Sequence, residues 1–186
     1  MILRGDLVVL RPLREGEIDL LEYHWGQRGV GVRPGPPLDR ERIRRRVMRS
    51  GRFFRGLLDL AIEAEGRLIG DIQARGRPAQ TLPPGTLELG IEIFEAGLRG
   101  RGYGSDAVAL LTRWLFQEAG AERVQVSTAT DNAGMRGVLD RLGFRFEGVL
   151  RQFMPAETGR DDYAMYALTR GDWQDNRRGR SSTASG

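Results

Sequence analysis

The sequence predicts a single α/β (α+β) domain: a mixed, mostly antiparallel sheet of about six to seven strands with helices on both faces. Three observations carry that prediction. Thr86–Phe94 and Arg123–Thr128 alternate apolar and polar residues as half-buried strands do. Ala107–Phe116 is a helix-like run without Gly or Pro, and it follows a turn holding three glycines, Gly100, Gly102 and Gly104. The whole chain reads β-α-α-β-β-β-α-β-α-β-β with no repeat and no credible linker, an order that packs as one layered sheet.

Leu7–Leu10 is a short strand candidate ended by Arg11-Pro12. Glu15–Trp25 follows as a helix, with Ile18, Leu21 and Trp25 spaced for one face. Gly26–Pro37 is rich in Gly and Pro and reads as a loop. Asp39 can cap a second helix running to about Arg49. Leu57–Glu63 and Arg67–Gln73 are strand runs joined as a hairpin by Ala64-Glu65-Gly66. Arg75–Gly85 is a polar, Pro-containing loop. Asp131 or Asn132 can cap a helix from Gly134 to Leu142, and Gly143 suits its C-terminus. Phe144–Arg151 and Tyr163–Thr169 read as closing strands. The domain is expected over residues 1–173, with a polar, disordered tail over 174–186.

Composition removes several chemistries. At 186 residues the chain can bury a full core. It has no Cys, so thiol nucleophiles and cysteine-ligated metals are excluded. It has no Lys either, so all 29 basic residues are Arg, and neither a Walker phosphate loop nor a pyridoxal Schiff base is available. His24 is the only histidine, and no metal site is predicted. No stretch approaches the roughly 20 apolar residues that span a bilayer. The first residues lack the layout of a secretory signal, so a cytoplasmic protein is expected. The net charge of +4 is modest, and the densest basic run, Arg40–Val47, reads as a helix with a solvated basic face. Nucleic-acid binding is therefore the least favoured reading.

The stretch with chemical content is Leu98–Ser105. A strand feeds a glycine-rich, arginine-bearing turn that opens a helix, which aims backbone N–H groups and a helix N-terminus at one point. That arrangement suits a phosphate or diphosphate. It is not the Gly-x-Gly-x-x-Gly of dinucleotide folds, because Ser105 and Asp106 follow Gly104. Glu88 and Glu92 lie four apart on the preceding strand and so share a face, where carboxylates could accept a proton from an ammonium.

Arg99-x-x-Gly102-x-Gly104 resembles the (Gln/Arg)-x-x-Gly-x-(Gly/Ala) signature of the GNAT superfamily of acyl-CoA-dependent N-acetyltransferases. Asn132, Leu142-Gly143-Phe144, Glu147-Gly148-Val149-Leu150-Arg151, Asp162, Tyr166 and Leu168 are similar to its ribosomal-protein-alanine (Rim-type) branch. The resemblance runs from about Leu57 to Trp173. It implies acetyl-CoA as cofactor, its diphosphate held by the amides of Arg99, Gly100, Arg101, Gly102, Tyr103, Gly104 and Ser105, with charge from Arg99 and Arg101. It implies that Asn132 bonds the pantetheine arm, or caps a helix, or both. It further implies that amides near Ile93 and Phe94 polarise the thioester carbonyl. Glu88 and Glu92 become the candidate catalytic bases.

The pattern departs from the family where a proton donor for the leaving thiolate is expected. The Tyr seven residues after the Asn is Leu139 here, and the Ser three residues after it is Met135. A carboxylate after the Glu-Gly-x-Leu segment would fall near Met154, with Glu157 the nearest acid. Water, or a residue such as Tyr103 or Tyr163, would have to serve. The leading expectation is an acetyl-CoA-dependent N-acetyltransferase acting on a primary amine, whether a small molecule, an antibiotic or a protein N-terminus. The competing one is a sensor that binds acyl-CoA with little turnover. Pairing of strand edges in a homodimer is left open.

Overall fold

The computed structural model describes residues 1–26, 39–156 and 158–183. The predicted loop after Gly26 and the acid Glu157 fall outside these residues. The chain forms β1 (Leu3–Arg4), β2 (Val9–Arg11), α1 (Ile18–Gly26), α2 (Arg40–Arg49), β3 (Leu57–Ala64), β4 (Arg67–Arg75) and β5 (Thr86–Ile93). It continues with α3 (Tyr103–Gln117), β6 (Arg123–Ala129), α4 (Ala133–Arg141), β7 (Arg145–Pro155), β8 (Arg160–Thr169) and α5 (Arg170–Thr183). The strands make one eight-stranded sheet in the order β1-β2-β3-β4-β5-β6-β8-β7. Every neighbouring pair is antiparallel except β5 and β6.

Two departures from the sequence reading concern the ends. The sheet has eight strands because the two-residue β1 pairs with β2, a length too short for any periodicity to register. The tail expected to be disordered from Gln174 continues instead as α5, through Thr183. Its attachment is aromatic: Trp173 stacks on Phe116 of α3 at 5.3 Å between ring centroids. Asp172 accepts from the Thr169 hydroxyl at 2.6 Å and pairs with Arg145 at 2.7 Å, which ties the start of α5 to the sheet. Among the described residues no helix is long and apolar enough to cross a membrane.

Local signals place the remaining ends. The Asp39 side chain accepts from the Arg42 amide at 2.8 Å and starts α2. Glu65 and Gly66 both have positive φ between the paired residues Ala64 and Arg67, the geometry of a two-residue hairpin turn. Gly143, at φ +82°, ends α4 in the left-handed conformation.

Alternation along the central strands separates two faces. Leu87 and Leu89 of β5 and Val124 and Val126 of β6 join the larger core, packed under Val108, Leu111 and Leu115 of α3. The opposite face carries a smaller core at its β2–β4 end, where Ile18, Leu21 and Trp25 of α1 and Ile43 and Val47 of α2 cover Ala61. Beyond that cover, over β4, β5 and β6, this face carries polar residues.

Arg11 is a buried charge in this second layer. Its guanidinium reaches Glu17 at 2.5 Å and Glu63 at 2.6 Å and also donates to the Pro12 carbonyl. The hydrogen bond from Arg11 holds the Glu63 carboxyl below the usual carboxylate range. A depressed folded-state pKa stabilises the protein above the unfolded value, and that contribution is lost as pH falls through the folded one. Thermal melts across the acid range should therefore show stability falling on acidification, with a shallower fall in Glu63→Gln.

Candidate active site

The β5–β6 ladder is short. Its paired residues are Thr86 with Arg123, Leu87 with Val124 and Glu88 with Gln125, while β5 itself runs on to Ile93 and β6 to Ala129. On its other side β5 stays paired with β4 as far as Ile93 opposite Gly70. The Phe94 amide donates to the Ile69 carbonyl at 3.0 Å. Alternation along an antiparallel strand then turns the amides of Ile93 and Ile91 away from β4, toward the gap. The expectation for two adjacent amides is corrected accordingly: Ile93 keeps an amide directed at the gap, and Phe94 does not. The Phe94 ring stacks on His24 at 4.4 Å, away from the groove.

The gap opens, on the α3–α4 face, into a groove of about 650 Å³. The glycine turn forms one wall. Arg99 donates from Nε and Nη2 to the Ile93 carbonyl at 3.4 and 3.3 Å, which ties the turn to the end of β5. Gly102 sits at φ +89° as the residue before α3, a conformation that costs an L-residue about 1–2 kcal/mol. The Asp106 amide makes the first helical bond, to Gly102, so the amides of Tyr103, Gly104 and Ser105 precede any intrahelical acceptor. Three unsatisfied donors and the positive helix end thus meet at the groove.

Asp106 in the same first turn would oppose an anion, but its carboxylate is turned elsewhere. Oδ2 accepts the Leu7 and Val8 amides at 2.7 and 2.9 Å, pinning the N-terminal strand against the turn. Gly100, Gly102, Gly104, Ser105 and Arg99 line the groove as expected, whereas the Arg101 and Tyr103 side chains do not. The Tyr103 hydroxyl lies 3.3 Å from Glu65, outside the groove.

The opposite wall comes from β6 and α4. Asn132 caps α4, its Oδ1 accepting from the Met135 amide at 3.1 Å, while its Nδ2 donates to the buried Thr128 hydroxyl at 3.1 Å. The cap reading of Asn132 thus holds, and the side chain also lines the groove. Met135 lines it as well, and Leu139 is wholly buried. Neither position offers a proton.

Through the gap, on the α1–α2 face, lies a second cavity of about 320 Å³. Glu88 and Glu92 both line it, with Gly90 between them on the same face. Gln125 donates to Glu88 at 3.4 Å. Asp71, directly opposite Glu92 across the β4–β5 pair, is 2% exposed. It accepts from Trp25 Nε1 at 3.0 Å and from Arg46 at 3.4 Å. Arg46 donates to a single oxygen, Oδ1, of the buried Asp59, at 2.9 Å from Nε and 2.5 Å from Nη2, and lies 4.1 Å over the Trp25 ring. Burial works against the Arg46 charge, and the two aspartates more than offset it, so its pKa is raised. Sequence reasoning missed this Trp25–Asp71–Arg46–Asp59 cluster. The signal was present: Asp59 interrupts Leu58 and Leu60, and Asp71 stands beside Ile72, charges inside otherwise apolar strands.

The glycines in the turn are not equivalent. A Cβ at Gly102 would stand 2.9 Å from Leu7 Cδ1 on a left-handed backbone, whereas one at Gly104 would meet only Ile91 Cδ1 at 3.9 Å. Gly102→Ala should cost about 1–2 kcal/mol in denaturant unfolding and weaken anion binding at the turn. Gly104→Ala should unfold at nearly the parental denaturant concentration.

The acetyltransferase (GNAT) domain family matches residues 8–145. The uncharacterized N-acetyltransferase YoaA of Bacillus subtilis is 30% identical over 83 residues, covering 45% of this chain and 46% of that protein. The prophage-derived YokL of the same organism, also an uncharacterized N-acetyltransferase, is 23% identical over 117 residues, 63% of this chain and 64% of its own length. The chain thus spans about half to two thirds of these relatives. Among solved structures, RimL, a ribosomal alpha-N-protein acetyltransferase in complex with coenzyme A, superposes with a TM-score of 0.74 at 18% identity, covering 91% of this chain and 98% of that one. RimJ of Mycobacterium smegmatis, in complex with a CoA disulfide, gives 0.68 at 21% identity, covering 91% and 86%. The two low-identity superpositions speak for the fold, and the domain match, spanning the glycine turn and most of the sheet, assigns the family: this chain belongs to the GNAT acetyltransferases.

Proposed function

We propose that the protein transfers an acetyl group from acetyl-CoA to a primary amine by direct attack of the amine on the thioester. The observation that carries this reading is the parting of β5 and β6 after Glu88 and Gln125. It joins a groove with anion-binding amides on one face to a carboxylate-bearing cavity on the other.

The groove residues fit coenzyme A. The amides of Tyr103, Gly104 and Ser105, with Arg99 beside them, would hold the diphosphate. The unpaired edges of β5 and β6 offer N–H and C=O groups to an extended pantetheine arm. When bound, acetyl-CoA supplies an activated acyl group at the gap. The Ile93 amide, aimed there, would accept charge building on the carbonyl oxygen, and such preorganised donors are worth about 2.7–4 kcal/mol each.

The second cavity suits the acceptor. Asp71, Glu88 and Glu92 place three carboxylates against the two guanidinium groups of Arg46 and Arg75. An amine arrives as an ammonium and must lose a proton before it attacks. Glu92, which lines both the cavity and the groove, is the best placed base, with Glu88 one pleat behind it. A protein N-terminus, the acceptor type named for RimL, and a small-molecule amine both satisfy this chemistry. The second reading, an acyl-CoA sensor, draws on Met135 and Leu139 standing where proton donors are expected.

Calorimetric titration with acetyl-CoA beside CoA, NAD and ATP, followed by thiol release with a panel of amines, tests both readings. Selective acetyl-CoA binding with amine-dependent thiol release is the expected result. Binding without release supports the sensor, and no CoA binding overturns both. Glu92→Gln should bind acetyl-CoA with nearly parental affinity while kcat falls by about 10²–10⁴, the usual contribution of a positioned base.

A further inference from the structure

A GNAT reaction ends on a sulfur that needs a proton, and the α4 positions expected to give it hold Met135 and Leu139. The two cavities share only five lining residues, Leu89, Gly90, Ile91, Glu92 and Ser127. Of these, only Glu92 and Ser127 carry side chains able to exchange a proton. Ser127 lies on β6, two residues past Gln125, the last residue paired with β5, and so just where the strands part. It is half-buried, and its hydroxyl makes no hydrogen bond with any described residue. Its neighbours Val126 and Thr128 are buried on the groove side, so alternation turns the Ser127 side chain to the cavity face. Extending the register of Glu88 with Gln125 sets Ser127 level with Gly90, where β5 has no side chain to fill the space between them.

We propose that Ser127 is a catalytic residue that hydrogen-bonds the sulfur of coenzyme A and relays a proton to it. As the C–S bond breaks, its electron pair stays on sulfur and the Ser127 hydroxyl proton passes to that sulfur. The ammonium first loses one proton through Glu92 to solvent and attacks as the neutral amine. As the amide forms, its nitrogen gives a second proton to the Glu92 carboxylate, which reprotonates the serine oxygen. From neutral amine to products the net transfer is one proton from nitrogen to sulfur, with nothing oxidised or reduced. A serine hydroxyl is far less acidic than a thiol, so it works as a relay and not as a standing acid. The two tyrosines are less well placed. Tyr103 lies on Glu65, and Tyr163 lines the acceptor cavity without reaching the groove. This inference rests on the coenzyme A reading of the groove.

The test needs no acceptor. Coenzyme A is bound to the parent protein, Ser127→Ala, Ser127→Thr and Tyr163→Phe, and its thiolate is titrated by ultraviolet absorbance, with binding measured by calorimetry. The ionisable groups lining the two cavities are Glu88 and Glu92 on β5, Asp71 and Arg75 on β4, Arg46 on α2, Tyr163 on β8, and Arg99 and Arg141 in the groove. All are common to the parent and the Ser127 variants. A hydrogen bond to an ionised acceptor should set the parental thiol pKa roughly one to two units below that in Ser127→Ala. Ser127→Thr should restore most of the difference, and Tyr163→Phe should match the parent. Equal thiol pKa values in the parent and Ser127→Ala overturn the proposal, as does a rise confined to Tyr163→Phe. Absence of coenzyme A binding to the parent overturns the cofactor reading itself and is told apart by the missing heat.

Discussion

One parallel strand pair in an otherwise antiparallel sheet governs this molecule. A parallel neighbour needs a crossover, and here the crossover is the glycine turn and α3, so the helix N-terminus is delivered to the C-terminal end of β5. The same pair parts after three residues, which leaves backbone donors without ladder partners at the point the helix addresses. Glycine turn, groove and carboxylate-lined cavity all meet at that parting. A sheet fully paired there would satisfy its own hydrogen bonds and have no passage between its faces.

The charges are arranged around that passage. The buried Arg46 neutralises Asp59 and touches Asp71, and Trp25 donates to Asp71 from α1. Replacing a buried ion pair by well-packed apolar groups is often neutral for stability, so its presence is better explained by placement than by energy. Here the cluster joins α1, α2, β3 and β4 at the wall of the cavity and fixes the Asp71 carboxylate opposite Glu92. Asp106 acts similarly on the other side. By accepting the Leu7 and Val8 amides it ties the first strands to the turn and keeps its own charge directed away from the free amides of α3.

Much of this was legible in the chain itself. The glycine turn between a strand and a helix was readable because only local geometry is involved: positive φ at Gly102 and free amides in the first turn of α3. The Asp39 and Asn132 caps and the Glu65-Gly66 hairpin were readable for the same reason. The shared face of Glu88 and Glu92 follows from strand periodicity alone. The Phe94 amide was misread because its fate depends on Ile69, 25 residues away, through a bond that only sheet pairing creates.

The sequence by itself thus determined the fold class, the order of elements from β2 to β8 and the glycine turn, all set by short-range spacing and conformational preference, and its motifs carried the resemblance to the family. Tertiary structure alone decided which residues converge. It brought Asp59, Asp71, Arg46 and Trp25 together from four elements, set Ser127 level with Gly90, and docked α5 through Trp173 on Phe116. The physical reason is that these contacts depend on strand register and helix docking, which arise from the packing of the whole sheet and leave no periodic trace in any one segment.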